Sequence, residues 1–167
     1  SNINGRLGIG STTNQNTPQF VDFGNNVAVQ SVDISYYHVC AILVNGSTYC
    51  WGSNTEGQLG LGNTLSYQTP QFVDLEIDEE AVSIATGFQH TCVVLESGSM
   101  KCWGNGASGV LGAGDLGSSN VPQETIGIEY THPIKAVPNI NNSWVGSVKS
   151  DGNYNLQVWY NSSSSST

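Results

Sequence analysis

Cys50-Trp51-Gly52-Ser53-Asn54-Thr55-Glu56-Gly57-Gln58-Leu59-Gly60-Leu61-Gly62 is the stretch that decides the fold, because the chain writes it more than once. Its start returns as Cys102-Trp103-Gly104, 52 residues on, and its end as Gly109-Val110-Leu111-Gly112-Ala113-Gly114. Gly5-Arg6-Leu7-Gly8-Ile9-Gly10 stands 52 residues before the end motif. Working outward, Thr17-Pro18-Gln19-Phe20-Val21-Asp22 returns unchanged as Thr69-Pro70-Gln71-Phe72-Val73-Asp74, and His38-Val39-Cys40 as His90-Thr91-Cys92. One register holds up to Gln123 without a gap. A period of this size marks stacked supersecondary units.

Within a unit the periodicity is that of strands. Ala81 to Ala85 is a short β-prone run, and His90 to Leu95 is a second. Glu96-Ser97-Gly98 then makes a turn, Ser99 to Trp103 is a third run, and Phe72-Val73-Asp74 supplies a fourth strand to the preceding unit. The Gly57-Gly60-Gly62 and Gly109-Gly112-Gly114 stretches read as shaped loops, since glycine loses too much entropy in a regular element. Four short strands per unit describe a propeller blade, whose two faces must both be covered by neighbours. The expectation is therefore an all-β chain of four-stranded antiparallel blades forming a partial β-propeller. Residues 1–161 would hold the end of one repeat (1–28), two full repeats (29–80 and 81–132) and a degenerate one (133–161). Residues 162–167 read as a Ser-rich tail or linker. A remainder of a longer chain, or further copies of this one, would complete the ring.

The order Gly87-Phe88-Gln89-His90-Thr91, Leu95, Gly98, Cys102-Trp103-Gly104 and Gly109 to Gly114 resembles the repeat of the regulator-of-chromosome-condensation family, as does the opening quotation. The resemblance covers residues 1 to about 124. It implies a propeller of four-stranded blades whose members act by protein–protein contact. Ser35 departs from the family-like Gly87, and the last unit has Asn142 and Trp144 where a His and a Cys would fall. One plant member of the family senses ultraviolet light through clustered tryptophans. Here Trp51 and Trp103 recur in the repeat, with Trp159 their displaced counterpart, so packing between blades is their reading.

Charge excludes one class of partner. The net charge is −9 with four Lys and Arg in total, which leaves little to neutralise phosphates, so nucleic acid is not expected. No apolar run is long enough for a membrane-crossing helix. The four cysteines fall as Cys40 with Cys50 and Cys92 with Cys102, each pair spanning one predicted hairpin. Three-residue turns centred on Asn45 and Ser97 would set each pair directly opposite, near enough for a disulfide after local adjustment. A two-residue Asn45-Gly46 turn would spoil the first pair, and buried free thiols are the alternative. If bridged, the pairs imply an oxidising compartment. Sequons at Asn45, Asn141 and Asn161 are candidate glycosylation sites in the same setting, extracellular or cell-surface, with periplasm or virion surface as alternatives.

Catalytic chemistry finds little support. His38 and His90 share one repeat position, as do Trp51 and Trp103, and a residue copied in each blade suits structure better than an active site. His132 lies off the pattern with no nucleophile or acid beside it in sequence. Asp33, Asp115 and Asp151 are scattered carboxylates with nothing to pair any two across a glycosidase cleft. The run Asp74-Leu75-Glu76-Ile77-Asp78-Glu79-Glu80 holds five carboxylates in seven residues. Asp74, Glu76, Asp78, Glu79 and Glu80 are weak calcium candidates, because the run lacks the glycine and alternating spacing of a calcium loop. A solvated loop between blades is the simpler reading. No cofactor is expected. The sequence thus points to a non-enzymatic protein-interaction module, with a self-assembling surface component and a glycan-acting enzyme as alternatives.

Overall fold

A computed structural model of the chain describes residues 2–24, 27–77, 79–126, 143–150 and 153–160. Two compact units divide it, Ser1–Ile128 and Glu129–Thr167. In the first unit, β1 (Val29–Ile34), β2 (His38–Leu43), β3 (Thr48–Gly52) and β4 (Tyr67–Val73) form one antiparallel sheet in chain order. A second sheet follows in the same order: β5 (Ala81–Thr86), β6 (His90–Leu95), β7 (Met100–Gly104) and β8 (Ser119–Glu124). Even the irregularities repeat. The β1–β2 ladder slips between Val29 and Ser31 and the β5–β6 ladder between Ala81 and Ser83, positions 52 residues apart.

The hairpin turns set the cysteine register. Leu43 N bonds Ser47 O and Gly46 N bonds Leu43 O, each at 2.9 Å, closing a three-residue loop over Val44-Asn45-Gly46. Leu95, Gly98 and Ser99 make the same pair of bonds. The last loop residue sits at φ 77° in Gly46 and 87° in Gly98, the left-handed position such loops reserve for glycine. Cys40 therefore faces Cys50, and Cys92 faces Cys102. Both pairs are bonded, with Cα atoms 4.1 Å apart in each. The two-residue Asn45-Gly46 turn does not form.

The two sheets pack face to face. Cys40, Ile42 and Cys50 from the first meet Val93, Leu95 and Trp103 from the second, with Leu59, Val73 and Leu75 closing the sides. Strand β6 accordingly alternates: Thr91, Val93 and Leu95 are buried, while His90, Cys92 and Val94 are half-buried. Strand β2 is buried along its whole length, because its other face, with Val39, Ala41 and Trp51, packs on Val21 and Phe23. The fourth strand starts earlier than the sequence suggests, at Tyr67 in place of Phe72. Pro70 masks it as a strand in the sequence. On the outer edge of a sheet a proline costs no ladder bond, and Pro122 sits likewise in β8.

The glycine-rich loops at 5–10 and 57–62 each receive the tryptophan of the sheet that follows. Trp103 Nε1 donates to Gln58 O at 2.9 Å, and Trp51 Nε1 to Arg6 O at 2.8 Å. Gly60 allows this approach: a Cβ there would stand 2.7 Å from Trp103 Nε1, and its φ of 75° suits glycine in any case. Loop and tryptophan are thus two halves of one joint, which is why both recur at the same period.

In the second unit, β9 (Ser143–Ser150) and β10 (Asn153–Tyr160) form an antiparallel hairpin in which Trp144 pairs with Trp159. Its register brings Ser150 opposite Asn153, one residue closer in sequence than Leu43 is to Ser47.

Candidate functional site

His38 and His90 share a repeat position but not an environment. Ser35 stands at the turn before His38, and its hydroxyl lies 2.8 Å from His38 Nδ1. The ring crosses to the second sheet, where Nε2 lies 2.8 Å from Thr91 Oγ1, and Thr91 Oγ1 donates to Gln58 O at 2.8 Å. His38 is fully buried, and burial pushes its pKa down to about 4, with His90 adding to the shift and Asp33 opposing it. At the other position Gly87 leaves room, and the His90 ring lies where a Cβ on Gly87 would be, 2.1 Å from Cε1. His38 thus links the two sheets through the Ser35 and Thr91 hydroxyls, whereas His90 folds back over its own turn.

The scattered aspartates stay apart. Asp33 Oδ2 accepts bonds from Thr86 N and Thr86 Oγ1, at 2.5 and 2.8 Å, tying β1 to β5. Burial raises the Asp33 carboxyl, but the bonds from Thr86 outweigh it and hold the pKa below the ordinary value. Asp115 Oδ1 accepts from Gly117 N within its own loop.

The acidic run is largely exposed at Asp74, Glu76 and Glu80, and it also carries counter-ions for a buried lysine. Lys101, at the position Tyr49 holds in the first sheet, is 2% exposed and reaches into the run. Its Nζ lies 2.6 Å from Glu79, 3.3 Å from Glu76 and 3.8 Å from Glu124, and donates to Leu75 O at 3.0 Å. A buried ammonium must be neutralised, and Glu79 does so from a partly buried position while Glu76 and Glu124 reach it from the surface. Burial lowers the Lys101 pKa, yet the bonds to Glu79 and Glu76 overcome it and raise it above its ordinary value. Asp74 Oδ1 accepts from Glu76 N, and Glu80 lies over Gly46. No cluster of three or more His, Cys, Asp or Glu side chains among the described residues is placed to hold a metal. Glu79→Gln is expected to cost about 1–2 kcal/mol in urea unfolding, since it removes the charge from a short bond to a buried cation. Glu76→Gln should cost about 0.5 kcal/mol or less, because Glu76 is 78% exposed.

Of the remaining expected positions, Asn45 is exposed at a hairpin turn, where a glycan would have room. Asp78, His132, Asn141, Asp151 and Asn161 and the 162–167 tail lie outside the described residues.

One surface feature was not anticipated from the sequence. The turns that enter β2 and β6 carry Tyr36 and Phe88, one repeat apart, at 66% and 59% exposure. Their rings stack with centroids 6.0 Å apart, and Tyr37 meets both edge-on at 4.8 Å. The Arg6 guanidinium lies 5.6 Å from the Tyr36 ring centre and donates to Tyr36 O. The result is a continuous aromatic platform across the ends of both sheets, with a cation at its border. Rigid aromatics beside an arginine are the residues that dominate protein contacts. The recurrence of an aromatic ring just before each His was the signal available in the sequence.

Comparison with known proteins places this geometry. The regulator of chromosome condensation (RCC1) repeat matches residues 1–42 and 45–94, and a second description of the same repeat matches 29–58 and 81–110. The ultraviolet-B receptor UVR8 of Arabidopsis thaliana is 31% identical over 119 residues, which are 71% of this chain and 27% of the receptor. The human E3 ubiquitin-protein ligase HERC2 is 33% identical over 113 residues, 66% of this chain and 2% of the ligase. Human WBSCR16 superposes on 74% of this chain with a TM-score of 0.62 and 20% identity. Prp20p of Saccharomyces cerevisiae, described with its binding to Gsp1p and histones, superposes on 77% with a TM-score of 0.63 and 19% identity. The chain spans 33% of each of these two structures. Two blades in a partial β-propeller, joined through a repeated loop-to-tryptophan contact, show that the chain belongs to the regulator of chromosome condensation repeat family.

Proposed function

We propose that this chain is a non-enzymatic protein-interaction module that presents the Tyr36–Tyr37–Phe88 platform to a folded protein partner. The observation that carries the reading is the exposure of Tyr36 and Phe88, stacked on one another and on the half-buried Tyr37 at the strand ends, where a monomeric surface gains nothing from displaying them. Rigidity matters because an ordered ring loses little further entropy on binding. The family supports the class of function, since the yeast structural relative is described as binding proteins. Two disulfides support an oxidising setting, extracellular or cell-surface. The net charge of −9 argues against a nucleic-acid partner.

The test is cross-linking in the native setting, read by mass spectrometry, on the natural protein and on a Tyr36→Ser, Phe88→Ser double variant. Each ring lost from a contact centre weakens binding by about 2 kcal/mol or more, roughly thirtyfold, so the variant should lose the partner while melting normally. Undiminished cross-linking by a folded double variant refutes the surface. For the compartment, thiols in protein taken from its source should resist alkylation until reductant is added. Immediate labelling of all four cysteines would refute an oxidising location.

A further inference from the structure

We infer that the hollow between the fourth strands of the two sheets is a docking site for an arginine of a partner protein and the apolar residues beside it. The hollow holds about 400 Å³ where the loop Gly60–Gly62 meets β4 and β8. Gly62 N closes that junction by donating to Asn120 O at 2.8 Å. Clefts of about 300–1,000 Å³ are the size that takes a small ligand. Leu61, Phe72, Val121 and Pro122 make the apolar walls, and Asp74 and Glu76 the acidic border. Phe72 is 56% exposed and Val121 43%, so both strands offer apolar surface to a partner.

Charge selects the occupant. Glu76, Glu79 and Glu124 share the single ammonium of Lys101, and Asp74 stands beside them through its bond from Glu76 N. Four carboxylates thus face one cation, which leaves the border of the hollow negative. Among the described residues of the first unit the other Lys or Arg side chain, Arg6, lies at Tyr36. A cationic group is therefore drawn in and an anionic one repelled. Shape favours arginine over lysine. The Phe72 ring meets Tyr49 edge-on, with centroids 5.7 Å apart, which fixes it while leaving more than half of it exposed. A planar guanidinium stacks on such a ring and turns its N–H fork to a carboxylate, and a compact ammonium offers neither plane nor fork. The chain uses this pairing once already, where Arg6 lies over Tyr36.

Glu76 is placed for contact more than for folding. It is a non-glycine residue at φ 83°, in the left-handed region. One repeat earlier the same turn has Gly24 at φ 76°, and Asp22 Oδ1 accepts from Gly24 N just as Asp74 Oδ1 accepts from Glu76 N. Glycine takes that conformation freely, whereas a side chain makes it costly. Lys101 does not require the exchange, because Glu79 already pairs with it at 2.6 Å. The Glu76 carboxylate instead stands 78% exposed at the border of the hollow. Leu75 is buried beside it, and Leu75 O holds Lys101 Nζ, so the turn is fixed before a partner arrives.

The experiment is a titration of the isotope-labelled whole chain with the capped tripeptide acetyl-Val-Arg-Val-amide up to millimolar concentration, read by amide chemical shifts. Saturable shifts should gather at Leu61, Phe72 and Val121. Citrulline in place of the arginine keeps the shape without the charge, and should weaken binding by about threefold or more. Phe72→Leu, which removes the aromatic face, and Glu76→Gln, which removes a border charge, should each weaken the arginine peptide by about threefold. Matching melting curves verify folding, and the exposed Glu76→Gln carries the test if Phe72→Leu melts early. The Tyr36→Ser, Phe88→Ser variant should bind the peptide unchanged, which separates this hollow from the aromatic platform. The proposal is overturned if no saturable shifts appear at these amides, or if the citrulline peptide binds as tightly. Loss of the shifts in the platform variant, or their survival undiminished in Glu76→Gln, overturns it as well.

Discussion

Trp103→Ala is expected to lower the free energy of unfolding by about 3–5 kcal/mol, the largest loss for a single truncation among the described residues. Trp103 is 0% exposed and belongs to the core shared by both sheets, so its removal opens a cavity neither sheet can close alone. Domains are stable by only about 5–15 kcal/mol, so the loss should be visible as a large drop in the urea midpoint. The hydrogen bond is the smaller part. Gln58 O also accepts from Thr91 Oγ1, so it keeps a partner when the indole goes. Trp103→Phe should therefore recover most of the loss. Trp51→Ala should cost less than Trp103→Ala, because the cluster around Trp51, made with Val39, Ala41, Val21 and Phe23, is smaller than the core that holds Trp103. The joint also predicts coupling. A methyl at Gly60 strikes Trp103 Nε1, so Gly60→Ala should cost less in a Trp103→Ala background, leaving mainly the left-handed backbone penalty of about 1–2 kcal/mol. Strict additivity in that double-mutant cycle would show that loop and indole do not bear on one another.

Much of this was legible because a repeat exposes its own constraints. A position that recurs every 52 residues answers to the geometry of stacking: Gly60 with Trp103, Gly8 with Trp51, and the Cys40–Cys50 pair sit at such contacts. The disulfide register followed from turn length, a local matter of two hydrogen bonds and one left-handed glycine. What the repeat hid were the departures from it. Lys101 replaces Tyr49, and its buried ammonium takes counter-ions from the acidic run, a contact that composition alone does not show. Ser35 replaces Gly87, and one hydroxyl sends His38 across the interface while His90 folds back. The aromatic platform escaped notice for a different reason. Tyr36 and Phe88 obey the period but face solvent, and periodicity reports position within a blade without reporting exposure.

Lowering the pH from 7 to 4 should destabilise the first unit by about 3 kcal/mol through His38 alone. The ring is fully buried, with Nδ1 against the Ser35 hydroxyl and Nε2 against that of Thr91, and burial depresses its pKa to about 4. The unfolded chain titrates near the ordinary value of 6.5. A depressed folded pKa means the unfolded state takes up the proton first, so the stabilisation is complete above about pH 6.5 and drains away as pH falls toward 4. A difference of roughly 2.5 units at 1.36 kcal/mol each gives the stated size. Two charged or titratable groups bear on the site: His90 adds to the depression, and Asp33 works against it. Asp33 contributes its own limb, lower down. Its folded pKa is below the ordinary 3.8, so the stability it brings is intact above that value and is lost only as pH falls below it. Unfolding free energies measured by urea at half-unit steps from pH 7 to 4 separate the two. His38→Gln keeps a hydrogen-bonding side chain but cannot take up the proton, so it should flatten the upper limb and leave the lower one. An unchanged slope between pH 6.5 and 4 in that variant would mean that His38 reaches water freely, and that the hydroxyls of Ser35 and Thr91 do not seal it between the sheets.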